Sequence, residues 1–135
     1  MESPQSAPNG ARPRLQELRE SVLLLHKAVL DSERTAYELV HGPVTSPGAF
    51  LQLLINDPWF SWLQPLTTLI VQIDETLAAK KPPAADRDLE QLIGDTRALL
   101  SPSREASDFW RRYSGAVQRD PGVAVLHAEV QKQLN

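Results

Sequence analysis

The chain contains no cysteine. That excludes a disulfide framework, a thiolate metal site and a cysteine nucleophile. Aromatic residues make up only 6% of it, so any core is modest and mostly aliphatic. No apolar run approaches the roughly 18 residues of a membrane span, and no hydrophobic signal segment opens the chain. Neither is there a surplus of positive charge. The net charge is -3 and the isoelectric point near 5.6, which argues against a broad nucleic-acid surface. The phosphate-loop pattern, the zinc-protease pattern H-E-x-x-H and the G-x-S-x-G elbow are all missing. These absences describe a cytoplasmic protein with no membrane or nucleic-acid partner, no cofactor, no metal site and no catalytic residue set.

What is present is helix punctuation. The 135 residues suffice for one domain plus a tail. Residues 1–11 (MESPQSAPNGA) are small and polar, and bury too little to offset ordering. They are expected to form a disordered tail, with residues 12–135 as one helical domain. Four of the 11 prolines follow a good N-cap residue, at Ser46-Pro47, Asp57-Pro58, Ser101-Pro102 and Asp120-Pro121. Ser and Asp accept from free N–H groups of a first turn, and proline suits the next position. A fifth start is expected at Asp86. No segment alternates like a half-buried strand.

The expected helices run from about Pro13 to His41, Pro47 to Ile55 and Pro58 to Ala79, the last kinked or restarted at Pro65. Three more follow, from about Arg87 to Leu100, Pro102 to Arg119 and Pro121 to Leu134. The expected fold is all-α: an antiparallel helical bundle of four main helices plus one or two short ones.

The first helix carries Leu15, Leu18, Val22, Leu25, Val29, Ala36 and Leu39 at seven-residue spacing, broken by Ser32. It is longer than the central helix. That combination suggests either an ordinary bundle helix or a seam joining two copies. From Thr35 to Ala79 there is no Lys or Arg, and the only acids are Glu38, Asp57, Asp74 and Glu75. So apolar a segment belongs in the centre of a fold.

The stretch HKAVLDSERTAYELVHGPVTSPGAFLQLLINDPWFSWLQPLTTLIVQIDE, His26 to Glu75, resembles a family of small bacterial all-helical proteins without an assigned function. The resemblance covers a little over a third of the chain. It implies a helical, bacterial protein and supplies no active site.

Helical geometry singles out one polar line. At about 100° per residue, Glu33 and Tyr37 fall within 20° of His26, in the middle of the apolar arc. A hairpin placing Leu39 beside Trp62 would bring His26 and Lys27 to Asp74 and Glu75. Asp74 then faces inward and Glu75 faces solvent. His26, Glu33, Tyr37, Asp74 and Glu75 thus form a candidate polar pocket, with Trp59 and Trp62 as walls. A structural network fixing helix register explains the same residues; so, less economically, does a metal site. Only one Glu-x-x-His spacing exists, Glu38 to His41, and it suits a helix C-terminus better than a metal.

Other features read as packing. Phe109, Trp110, Tyr113 and Val117 make a core stripe, with Arg111 and Arg112 solvated beside it and Arg104 and Glu105 as first-turn surface charges. His127 lies at the edge of the Val123, Leu126, Val130, Leu134 stripe. The Arg87 to Arg119 segment is too balanced in charge for a DNA-binding helix pair.

Two functions remain. One is a non-enzymatic bundle acting through protein–protein contacts, as a homodimer or with another protein. The alternative is a small-molecule-binding or enzymatic bundle built around His26, Glu33, Tyr37 and Asp74. A cavity beside His26 favours the second; close packing there favours the first.

Overall fold

The structure is a computed structural model that describes residues 10–102 and 107–135. These fold into seven helices: α1 (Ala11–His41), α2 (Pro47–Asn56), α3 (Pro58–Ser61), α4 (Gln64–Ala78), α5 (Asp86–Leu99), α6 (Asp108–Arg119) and α7 (Pro121–Leu134). Among the described residues there is no strand, only one isolated bridge between Lys80 and Pro83. None of these helices is long and apolar enough to cross a membrane.

Three of the four Ser/Asp-Pro pairs start helices as expected. Ser46 Oγ accepts from Ala49 N at 3.0 Å, and Asp57 Oδ1 from Trp59 N at 2.8 Å. Asp120 Oδ1 accepts from Gly122 N at 2.9 Å and Val123 N at 3.3 Å. Pro47, Pro58 and Pro121 each occupy the following first turn. Ser101-Pro102 does not. Both residues precede α6, which begins at Asp108 with Ser107 Oγ accepting from Trp110 N at 3.0 Å. The expectations for Arg104 and Glu105 lie outside the described residues. Asp86 is the first helical residue of α5 rather than its cap. The expected central helix is two helices, and Pro65 sits in the first turn of α4.

The tail expectation falls mostly on residues 1–9, outside the described residues. Its last residue is corrected: Ala11 opens α1 and is buried.

Along α1 the buried residues Ala11, Leu15, Leu18, Val22, Leu25, Val29 and Ser32 alternate by four and three, with Glu33 buried beside the last of them. This seam packs against α4, α5, α6 and α7 of the same chain. The surface that the sequence offered to a second copy is therefore filled from within. Leu39 departs from the seam and is 84% exposed. The 31 residues of α1 span about 46 Å, against about 22 Å for the 15 of α4. The C-terminal end of α1 outruns α4 and is met by the returning chain. Gly42, at φ +90°, makes the turn that a side chain would strain. Arg34 Nη2 then donates to Val44 O at 2.8 Å, and its guanidinium lies 4.9 Å from the Phe50 ring centre. Glu38 Oε2 accepts from Val44 N at 2.7 Å.

The α1–α4 pair runs in opposite directions, in a register unlike the expected one. Arg19 pairs with Asp74, and His26 with Thr67. Asp74 thus faces α1 about two turns before Lys27.

Candidate functional site

The expected pocket residues separate into three groups. Glu33 is buried, 8% exposed, but its partners lie on α3 and α6. Trp59 Nε1 donates to Glu33 Oε2 at 3.0 Å, and Arg119 Nη2 donates to Glu33 Oε1 at 2.9 Å. A buried carboxylate requires such partners, and this one ties α1 to both helices. Tyr37 belongs to an aromatic cluster. Its ring centre lies 4.5 Å from His41 and 5.6 Å from both Trp59 and Phe60. Asp74 is held by Arg19, and Glu75 is exposed.

His26 therefore meets neither carboxylate nor Tyr37, contrary to expectation. It is half-buried rather than buried. Its Nε2 lies 3.1 Å from Thr67 Oγ1, and Thr67 Oγ1 itself donates to Leu63 O at 3.3 Å. The hydroxyl has spent its proton, so the imidazole is the donor in the shared bond. Burial pushes the His26 imidazole below its ordinary range. The ring is neutral at pH 7, with no carboxylate to hold a proton on it.

Beside His26 there is a groove of about 370 Å³ between α1, α2 and α4. Leu30 of α1, Leu51, Leu54 and Ile55 of α2, and Phe60 and Leu63 form its apolar walls. His26, Gln64 and Thr67 supply all its polar groups. Neither expected wall takes part. Trp62 is buried against Phe109, with ring centres 5.6 Å apart, and Trp59 is engaged by Glu33 and Tyr37. Phe60 is the aromatic wall instead.

The α2 wall is unusual. Six of its ten residues are Ala, Phe, Leu or Ile, yet none is buried. Phe50, Leu53 and Leu54 are half-buried, whereas Leu51 and Ile55 are 53% and 66% exposed.

A second polar pair was missed. Tyr113 is completely buried, and its hydroxyl lies 2.6 Å from His127 Nδ1 across the α6–α7 hairpin. Burial raises the Tyr113 phenol well above its ordinary value and lowers His127. The two residues lie at equal distances either side of Asp120, and that symmetry was the available signal. Arg111 and Arg112 are exposed and paired with Asp108, as expected of solvated charges. No group of three or more His, Asp or Glu among the described residues is placed to hold a metal ion.

A scan against protein-family models, a search of curated proteins and a search of solved structures each returned no match. The functional reading rests on the groove itself.

Proposed function

We propose that this chain is a non-enzymatic antiparallel helical bundle that binds a small, largely apolar molecule in the groove between α1, α2 and α4. The supporting observation is the open space beside His26, walled by apolar side chains and edged by one imidazole–hydroxyl pair. Small-ligand sites have this composition: apolar walls with a few convergent polar groups. Leu51, Leu54 and Ile55 each regain up to about 1.5–3 kcal/mol when an occupant removes them from water. Acid–base catalysis is disfavoured because His26 is oriented by a hydroxyl, while Asp74 and Glu33 are committed to Arg19 and Arg119.

The test is an amide chemical-shift titration of the full chain with short apolar molecules. The shifts are expected at Leu30, Leu54, Leu63 and Thr67. Leu54→Trp, which fills the groove, should abolish them without lowering the melting temperature. Absent or scattered shifts would refute the reading.

One observation favours a second reading, self-association. The wall residues Leu51 and Ile55 are more than half exposed, and Leu39 and Val40 are exposed at the end of α1. Under this reading light scattering gives a dimer mass at micromolar concentration, and Leu51→Asp with Ile55→Asp restores the monomer.

A further inference from the structure

The groove is half-open and carries no formal charge on its lining. Its three polar groups are an imidazole, a hydroxyl and a carboxamide. The His26 ring is kept neutral by burial, with Thr67 Oγ1 accepting its proton. Gln64 makes no side-chain hydrogen bond among the described residues, and its carboxamide is free both to donate and to accept.

The charges nearest the walls are committed elsewhere: Arg34 to Val44 O and the Phe50 ring, and Asp57 to the first turn of α3. From Thr35 to Ala79 there is no Lys or Arg, so neither α2 nor α4 offers a cation. Helix α2 has no acid either, and the only acids of α4, Asp74 and Glu75, lie about two turns beyond Thr67. Asp74 is also neutralised by Arg19. On α1, Lys27 and Asp31 flank His26 and Leu30; they are exposed and opposite in sign. Thr67 and Gln64 are exposed and His26 is half-buried, so an ionised head group there would give up part of its water and gain no counter-charge. An uncharged hydroxyl or amide would exchange its water bonds for bonds to His26, Thr67 and Gln64 at little net cost.

Resting on the groove reading above, we infer that the site selects uncharged aliphatic amphiphiles: a single hydrocarbon tail with a hydroxyl or amide head. Fatty acids and alkylamines of the same length are rejected. The tail lies along Leu30, Leu51, Leu54 and Ile55, and the head sits at the α1–α4 seam. The small volume suits one short chain rather than a two-tailed lipid or a rigid polycycle.

The experiment compares octanol, octanoate and octylammonium at neutral pH by amide chemical-shift titration of the full chain. The expected result is octanol binding at least about tenfold more tightly than either ion. Gln64 is exposed, so Gln64→Lys leaves the fold intact. That variant should bind octanoate more tightly than the wild type does and narrow or reverse the preference. If the wild type binds octanoate or octylammonium as well as octanol at the groove amides, the head-group inference is overturned while the groove reading stands. If none of the three moves those amides, both are overturned.

Discussion

Arg119, the last residue of α6, donates to Glu33 Oε1 at 2.9 Å, while the other oxygen of that buried carboxylate takes the indole N–H of Trp59. The arginine side chain is half exposed, so the ion pair itself adds little. The indole bond, from half-buried Trp59 to the buried carboxylate, contributes more because its acceptor is charged. Glu33→Leu should therefore destabilise the protein by about 1–3 kcal/mol, the cost of stranding a buried polar group. Glu33→Gln, which keeps an acceptor for Trp59, should cost markedly less. Urea denaturation of both variants measures the difference.

His26 and Asp74 do not touch, and this predicts an absence of coupling. His26→Leu removes one hydrogen bond to a threonine that retains Leu63 O, so its cost should stay below about 1.5 kcal/mol. In a double-mutant cycle, His26→Leu and Asp74→Asn should be additive within about 0.5 kcal/mol. A larger coupling in urea melts would mean that the α1–α4 register differs from that described.

The two partly buried histidines set a pH dependence. His26 and His127 both titrate lower in the folded chain than their ordinary value of 6.5. The unfolded chain therefore binds more protons just below that pH. Stability from these groups is fully present above pH 6.5 and is lost as pH falls through the lowered folded values. Urea midpoints measured from about pH 8 down to about pH 5 should fall on the acid side. His26→Leu should flatten part of that fall.

Tyr113→Phe removes the hydroxyl that reaches His127 and leaves the ring packing intact. The histidine is only half-buried, and water can take over its nitrogen. The expected loss is about 0.5–1.5 kcal/mol in thermal or urea melts. A loss beyond about 3 kcal/mol would show that this pair anchors the α6–α7 hairpin far more strongly than a single hydrogen bond does.

The helices were legible where local chemistry decides them. Ser46, Asp57 and Asp120 each needed only their own side chain and the next proline to mark a start. Ser101-Pro102 shows the limit, because a Ser-Pro pair also suits a turn, and the capping serine was Ser107, with no proline behind it. The register of α1 on α4 was not legible. A seam repeating every seven residues looks almost the same after a slip of one repeat, so apolar matching cannot choose between them. The choice was made by Arg19 with Asp74 and by Trp59 with Glu33, pairings that only the packed helices reveal. For that reason the polar line along α1 was read correctly as inward at Glu33, yet its partners were misassigned. The groove was unreadable for a related cause. Nothing in the sequence of α2 says that so apolar a helix packs with one face still uncovered.

That incomplete burial sets an order of unfolding. Helix α1 is locked on several sides, whereas α2 is held by the Arg34 and Glu38 bonds to Val44 and by half-buried Phe50, Leu53 and Leu54. With so little surface lost to water, α2 is the segment that opens at least cost. Its amides should exchange with solvent by detachment of α2 alone, long before those of the α1 seam. An occupant of the groove would slow that exchange selectively, so hydrogen exchange at Leu53 to Asn56 reports occupancy even for a ligand too weak to shift the melting of the whole protein.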